Sequence, residues 1–288
     1  MAFHSQPNIY VGLVHLFVSN LDHSLDFYTD LLGFSVLEKK EGVASLTADG
    51  KNVLITLEEK KDAIPKRTRT TGLYHFAILV PTRENLGASL KRLLEKEYRL
   101  QGGSDHLFSE ALYLADPDGN GIEIYTDRPA EQWTWVDGEL PFVSDPLDME
   151  GLLKEADGKG WGGLPAETVM GHIHLHVNDL REAKRFYADG LGFEITVPFR
   201  HQALFVASGG YHHHIGLNTW NGTGSQRPHA DEVGMKWYTI NFPGNQVLQE
   251  TIGRLISMGF TVEKENEDYW TVDPSGNRIN LVNFKRHG

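Results

Sequence analysis

The chain of 288 residues contains no cysteine. This absence excludes a disulfide framework, a thiolate metal site and a cysteine nucleophile. Any metal ion would have to be held by histidine, aspartate or glutamate, and the chain has 14 histidines and 39 acidic residues. A search for chemistry in this sequence is therefore a search for nitrogen and oxygen ligands.

The chain also lacks an excess of positive charge and any long apolar run. Its net charge of −12 argues against a nucleic-acid partner, because binding to a phosphate backbone needs a basic surface. No apolar run reaches the roughly 18 residues that a membrane-spanning helix needs. The first residues, MAFHSQPNIYVGLVHLFV, do not have the pattern of a signal peptide. We expect a cytoplasmic protein that meets small molecules, with neither a membrane nor a nucleic acid as partner.

What the sequence does contain is a fourfold internal repeat. The segment from Val14, VHLFVSNLDHSLDFYTDLLGFSV, aligns without gaps to the segment from Ile173, IHLHVNDLREAKRFYADGLGFEI. Each predicts a strand, a turn and an amphipathic helix that begins at an Asn or Asp cap and ends at a glycine. The first strands of the four copies are predicted at Val11–Val18, Leu73–Val80, Gly171–Val177 and Met235–Phe242.

The ends of the copies complete the repeating unit. LADPDGNGIEIY, from Leu114, aligns to TVDPSGNRINLV, from Thr271, and each predicts a strand, a turn and a strand. The unit is therefore βαβββ. We predict an α+β fold in which four such modules pair into two half-open barrels. Modules one and two would span 9–126, a linker with a short helix at Asp148–Ala156 would span 127–168, and modules three and four would span 169–284. Such a long linker either contributes to function or packs as an external tether.

The repeat has a register that selects candidate ligands. Side chains alternate along a strand, so equivalent positions in the four copies should face the same way. The position five residues before the end of each first strand holds Leu13, His75, His172 and Trp237. The equivalent position in the last strands holds Leu54, Glu123, His213 or His214, and Asn280. At these positions copies two and three thus carry residues that commonly bind metals, whereas the residues of copies one and four would not form a metal site.

If copies two and three share one barrel, two histidines and one carboxylate would meet inside it. Taken singly, His75 could be a structural histidine, and Glu123 could face solvent. The shared register links them, and an inward carboxylate is costly to bury unless it is paired or bound to a metal. Two histidines and one carboxylate on one face suit Fe(II), with Mn(II) as an alternative, and zinc accepts the same ligands.

Four stretches together carry a resemblance to a known family: GLYHFAILVP, SEALYLADPDGNGIEIY, GHIHLHVNDLREAKRFY and GGYHHHIGLN. They resemble the vicinal oxygen chelate superfamily and, within it, the extradiol ring-cleaving dioxygenases, most of all the bacterial catechol 2,3-dioxygenases with four modules. The residues to which the resemblance assigns roles are His75, Glu123 and His172 as iron ligands, His214 as acid–base residue, Tyr113 as hydrogen-bond partner of the substrate, and His106 as a nearby supporting histidine. Better-known members take the three ligands from modules three and four, whereas here they fall in modules two and three.

The resemblance implies an oxidoreductase of aromatic hydrocarbon catabolism. With Fe(II), and dioxygen as co-substrate, it would cleave a catechol beside its two hydroxyls to a muconic semialdehyde. Assembly into a homo-oligomer is left open. The alternative on the same fold is a glyoxalase-type metal-dependent isomerase or thiol transferase, which would need a fourth inward protein ligand such as His214. A module that only binds a small molecule is the third possibility.

Overall fold

The computed structural model describes residues 2–158, 160–200 and 202–283. Modules one and two follow the predicted order of elements. They consist of β1 (Tyr10–Val18), α1 (Leu21–Asp26), β2 (Ser35–Lys40), β3 (Val43–Thr47), β4 (Ile55–Glu59), β5 (Gly72–Leu79), α2 (Arg83–Glu95), β6 (Gly102–Asp105), β7 (Ser109–Ala115) and β8 (Gly121–Asp127). The linker then contributes a two-residue strand, β9 (Asp145–Pro146), and the helix predicted there, α3 (Met149–Glu155).

Modules three and four repeat the pattern. They consist of β10 (Val169–His176), α4 (Leu180–Lys184), β11 (Glu194–Arg200), β12 (Ala203–Ala207), β13 (Ile215–Asn218), β14 (Gly234–Phe242), α5 (Asn245–Ser257), β15 (Val262–Glu265), β16 (Asp268–Val272) and β17 (Arg278–Asn283). The module limits drawn from the sequence stay a prediction, and residue 284, the last of the third range, lies outside the described residues.

The modules pair in a nested order. An eight-stranded sheet, here called the outer sheet, joins module one to module four through antiparallel β1 and β14. A nine-stranded sheet, here called the inner sheet, joins module two to module three through antiparallel β5 and β10, with β9 at its edge. The α+β fold of four βαβββ modules in two half-open barrels is confirmed, and the two candidate-bearing modules share the inner one.

Strand register corrects part of the sequence alignment. Ala77, two residues after His75, lies opposite Glu123. The corresponding residue of module three, His174, lies opposite Gly216. The equivalent of Glu123 in module three is therefore Gly216, and His213 and His214 precede β13. A side chain at Gly216 would meet the His174 ring at 2.8 Å, so this position has no room for a ligand.

The same correction applies to module one, where the equivalent of Glu123 is not Leu54. His15 holds the position of Ala77 in module two, and it lies opposite Thr56 on β4. The sequence alignment was therefore shifted by two residues in this copy. In module four the alignment was right, because Thr239 lies opposite Asn280.

Helix α1 begins where the sequence predicted and then departs from it. The side chain of Asn20 accepts a hydrogen bond from the backbone of His23, as an N-cap does. After Asp26 the helix widens into a π-helical turn, Phe27–Leu31, and ends at Gly33, whose φ of +87° suits glycine. The wider turn keeps the adjacent rings of Phe27 and Tyr28 both buried. Helix α4 shows the same change from α to π.

One continuous apolar core connects the two sheets and their helices. Val14 and Leu16 of the outer sheet belong to it together with Phe76 and Ile173 of the inner sheet. Within the described ranges, no helix is long and apolar enough to cross a membrane. The core thus packs the inner sheet against the outer sheet and the helices.

Candidate metal centre

Three side chains converge on the concave face of the inner sheet. The Nε2 atoms of His75 and His172 lie 3.0 and 3.2 Å from Oε2 of Glu123. One ligand atom from each of the three residues lies within 4.8 Å of the other two, and all three side chains are buried. They form the one group of this kind within the part of the chain that the structure describes. The forecast that the three residues lie a few ångströms apart is met by this geometry.

Strand pairing explains why these three residues meet. Ala77 on β5 lies opposite Glu123 on the parallel strand β8 and opposite His172 on the antiparallel strand β10. His75 precedes Ala77 by two residues on the same strand and therefore faces the same side of the sheet. Three central strands thus place the three candidate ligands around one small alanine.

The protonation states suit a cation. Burial alone would raise the pKa of Glu123, but the charge and hydrogen bond of His172, together with the charge of His75, outweigh it and hold this pKa well below its usual value. Burial lowers the pKa of His172 to about 4, against the opposing effect of Glu123. At neutral pH the site therefore offers a carboxylate and a neutral imidazole, the forms that bind metals.

An unsatisfied nitrogen indicates that the group is built for a ligand beyond the protein. Nε2 of His75 is buried and makes no hydrogen bond within the described residues, although Glu123 is close to it. The distance of 3.0 Å is short enough, but its direction is not that of a hydrogen bond. A divalent metal at the point where the three ligand atoms converge would satisfy this nitrogen, so the residues present fit such an ion.

The group lies on the wall of a cavity of about 390 Å³. Its lining combines aromatic and aliphatic side chains with polar ones, among them the three candidate ligands. The remaining lining includes Tyr74, Gln101, Ser104, His106, Phe108, Tyr113, Pro141, Phe142, Val143, His174, Val197, Phe205, His213 and Trp220. Neither lysine nor arginine occurs among the lining residues that are described. The cavity has the size and mixed character of a small-molecule site.

Tyr113 and His106, both singled out from the sequence, meet in this cavity. The hydroxyl of Tyr113 lies 2.8 Å from Nε2 of His106, and Nδ1 of His106 lies 2.6 Å from the carbonyl oxygen of Val143. Because a carbonyl only accepts, the neutral His106 ring donates from Nδ1 and accepts at Nε2. Tyr113 therefore donates its proton to His106, and its oxygen can still accept a hydrogen bond from a ligand. Burial and the charge of Glu123 raise the pKa of Tyr113 well above its usual value, so it stays protonated.

The third residue singled out beside the ligands, His214, does not line the cavity. Its Nδ1 accepts a hydrogen bond from the backbone of Ser208, and its Nε2 donates to the carbonyl oxygen of Phe3. Both ring nitrogens are thus engaged in bonds that hold the fold. His213 lines the cavity instead, with its ring centre 4.2 Å from that of His172. The loop before β13 turns the neighbouring residue, not the predicted one, toward the site.

The sequence left the role of the linker open and gave no sign of one further contact in the site. Part of the linker, residues 140–147, here called the strap, closes one side of the cavity. Leu140 bonds to Thr196 of β11, Ser144 bonds to Ser104 of β6, and Val143 fixes His106. The further contact is between Asp127, at the end of β8, and His212. The clustered prolines and aromatic residues of the linker were the available signal for the strap.

The comparisons with known proteins agree with this geometry. The model of the family described as Glyoxalase/Bleomycin resistance protein/Dioxygenase superfamily matches residues 10–124 and 169–281. The catechol-2,3-dioxygenase of Bacillus subtilis (strain 168) is 45% identical over 278 residues, which cover 95% of this chain and 97% of that protein. The biphenyl-2,3-diol 1,2-dioxygenase 3 of Rhodococcus globerulus is 30% identical over 118 residues, 39% of this chain and 62% of that protein.

A solved structure shows the same fold at low sequence identity. The crystal structure of a Bacillus subtilis subsp. subtilis str. 168 protein is 15% identical to this chain, with a TM-score of 0.66. The match covers 95% of this chain and 84% of that one. At this identity the likeness concerns the arrangement of strands and helices alone.

Proposed function

Because the chain belongs to the Glyoxalase/Bleomycin resistance protein/Dioxygenase superfamily, we propose that it is an Fe(II)-dependent extradiol dioxygenase. It would open a catechol ring beside its two hydroxyls with dioxygen and release a muconic semialdehyde. The observation that carries the proposal is the buried His75–Glu123–His172 group on the wall of a small-molecule cavity. The catechol-2,3-dioxygenase relative, matched over nearly its whole length, supports the choice of reaction.

In this proposal the three side chains hold Fe(II), with Mn(II) as a substitute. These two histidines and one carboxylate would supply three of the ion's ligands and would leave further positions for exogenous ligands. When bound, the ion would lower the pKa of the catechol hydroxyls and bring the catechol and dioxygen together in one orientation.

The surrounding residues handle protons and orientation. The oxygen of Tyr113 accepts a hydrogen bond from a substrate hydroxyl, since its own proton goes to His106. His213, which lines the cavity beside His172, takes a proton from the substrate and returns it during ring opening. This assigns to His213 the acid–base role that the family resemblance implied for His214. Phe205 and Phe142 exclude water from the ring.

The lining also narrows the substrate class. The lining contains the apolar side chains of Val197, Phe205, Phe142 and Trp220, and its described residues include no lysine or arginine to pair with an anion. Moving an unpaired carboxylate into such a wall costs several kcal/mol. We therefore expect catechol and alkyl-substituted catechols to be cleaved, and catechols that carry a carboxylate to be poor substrates.

The alternative function, that of a glyoxalase-type isomerase or thiol transferase, needs a fourth protein ligand for the metal. His214, the residue that would have supplied it, is bonded to Ser208 and Phe3, and no fourth member joins the three-residue group within the described ranges. This favours an ion with open positions over a glyoxalase-type isomerase or thiol transferase.

The test is to load the purified protein anaerobically with Fe(II), and separately with Mn(II), and to measure oxygen uptake with catechol, 4-methylcatechol and 3,4-dihydroxybenzoate. We expect uptake with the first two and formation of the yellow ring-opened product. Formation of lactoylglutathione from methylglyoxal and glutathione, without oxygen uptake on any catechol, would overturn the proposal in favour of the isomerase.

A further inference from the structure

A row of three side chains connects the cavity to a second, open cleft. Asp127 ends β8 and lines a cleft of about 670 Å³, with 21% of its side chain exposed. Its Oδ1 lies 2.9 Å from Nε2 of His212, and Nδ1 of His212 lies 2.8 Å from Nδ1 of His213. His213 in turn lines the catalytic cavity. The row therefore spans from solvent to the proposed acid–base residue.

The chemistry of the three groups fixes the direction of the hydrogen bonds. An ionised carboxylate only accepts, so His212 donates to Asp127 from Nε2. In a neutral imidazole the other nitrogen is then an acceptor, so Nδ1 of His212 accepts a proton from Nδ1 of His213. His213 is thereby left with an unprotonated Nε2, the nitrogen that can face the cavity. The polarity of the row makes His213 a proton acceptor rather than a donor in the resting site.

Contacts on several sides hold the ring of His212 in the orientation that these hydrogen bonds require. Its side chain has no exposed surface. Phe108 stacks on its ring at a centre-to-centre distance of 4.5 Å, and the ring of Tyr211 lies 3.9 Å away on centres. The hydroxyl of Tyr211 also bonds to Asp127, at 3.1 Å from Oδ2, which fixes the carboxylate. The ring cannot turn over without breaking these contacts.

We propose that Asp127 is a positioning residue, which acts through His212 to hold the proton of His213 on Nδ1 and to present Nε2 to the substrate. The inference rests on the proposed function for its purpose, but its physical content is a tautomer that can be observed without turnover. Asp127 is not among the residues that line the catalytic cavity and is not one of the three candidate metal ligands, so we assign it a positioning role and not a catalytic one.

The first experiment observes the tautomer in the metal-free protein. Two-bond ¹H–¹⁵N correlation spectra of ¹⁵N-histidine-labelled protein distinguish Nδ1–H from Nε2–H, and His213→Gln and His212→Gln identify the signals. We expect Nδ1–H at His213 in the wild type. Asp127→Asn, whose amide can donate to His212, should move the proton of His213 to Nε2. Asp127→Leu offers no partner and should give a mixture of the two forms.

The second experiment measures the consequence with the iron-loaded enzyme. Asp127→Asn should lower kcat about 10²-fold or more, the range expected for loss of a positioned base. Its iron content and its KM for catechol should stay unchanged. Glu155→Gln is the matched control, because Glu155 lines the same cleft and pairs with Arg83 but touches none of the three residues. It should leave both parameters and the tautomer as in the wild type.

The outcomes separate this inference from the proposed function. Nε2–H at His213 in the wild type, or Nδ1–H retained in both Asp127 variants, would overturn the inference even if catechol is cleaved. A fall in iron content and a rise in KM that account for the whole loss in Asp127→Asn would also overturn it, because the role would then be structural. If the tautomer is as expected but no catechol is cleaved, the proposed function fails and the positioning stands.

Discussion

At the scale of single residues, Glu123 is the group on which the proposed site depends most. Its oxygen is close to both histidine nitrogens, and it is the one acidic member of the candidate group. We expect Glu123→Gln to weaken metal binding by more than the ~100-fold that loss of an outer hydrogen-bond partner costs. Metal content after dialysis, measured by mass spectrometry, tests this.

Glu58→Gln is the matched control for this substitution. Glu58 also bonds to a buried histidine, His15, at 2.8 Å, but in the outer sheet. The control should keep its full metal content. Retention of iron and of ring cleavage by Glu123→Gln would show that the assignment of the ligands is wrong.

His213 and His214 are neighbours with opposite expected effects. His213→Gln should lower kcat about 10²- to 10⁴-fold with little change in stability, because the residue faces the cavity and acts on protons. His214→Gln should lower the free energy of unfolding by about 1–3 kcal/mol, because it leaves Ser208 and Phe3 without their buried partner. Steady-state kinetics and denaturant unfolding of both variants test the assignment. A larger kcat loss in His214→Gln would reverse it.

How far the site could be predicted depends on whether a residue lies in a regular strand. The sequence was enough to predict His75, Glu123 and His172, because strand alternation and the register of the repeat can both be recognised in the order of the residues. The choice between His213 and His214 could not be made from the repeat, because both lie in an irregular loop where strand alternation does not apply. The contact of Asp127 with His212 joins residues 85 positions apart. No local pattern encodes such a contact.

At the scale of elements, two matching hydrogen bonds tie helices to turns. The hydroxyl of Tyr28, in the π turn after α1, donates to Asp116 of module two at 2.9 Å. Tyr187, in the π turn after α4, donates to Asp273 of module four at 2.8 Å. Both aspartates are buried, and burial raises the pKa of each. Each bond therefore links a module of one sheet to a module of the other.

Removing either hydroxyl should destabilise the fold. Tyr28→Phe and Tyr187→Phe should each lower the free energy of unfolding by about 1–3 kcal/mol, because a buried carboxylate loses a donor. Urea unfolding followed by circular dichroism measures this. Tyr269→Phe, at a partly buried ring outside these pairs, should change it by less than about 0.5 kcal/mol. Equal effects in all three variants would contradict the special role of the two bonds.

The structure of these helices was only half predictable. The caps at Asn20 and Asp179 and the stops at Gly33 and Gly192 follow from local chemistry, and the structure has them. The π turns do not follow from local chemistry. Each π turn contains a tyrosine whose hydroxyl donates a hydrogen bond to an aspartate nearly 90 residues further along the chain. We therefore attribute the π turns to tertiary contacts.

At the scale of the whole molecule, the nested pairing makes each half of the chain incomplete. The N-terminal half supplies His75 and Glu123, and the C-terminal half supplies His172. Each half would also leave the pairing edges of two sheets open, β1 and β5 in one, β10 and β14 in the other. Open apolar edges are prone to aggregation.

We expect fragments 1–158 and 159–288, expressed separately, to be insoluble and to bind no iron stoichiometrically. Expressed together, they should assemble into a complex that binds one iron, because strand pairing between the fragments restores both sheets. Size-exclusion chromatography and metal analysis test this. A separately soluble N-terminal fragment with full iron content would contradict the shared site.

The nested pairing of the modules also determines which sheet can form first during translation. A ribosome has made every strand of the inner sheet once it passes Asn218, whereas the second edge of β1 must wait for β14. Domains generally fold as units during translation. The ligand-bearing sheet can thus close while module four is still being made. β1 is synthesised first, yet its partner strand β14 is synthesised late. We therefore expect the unpaired edge of β1 to be open to aggregation until β14 has been made.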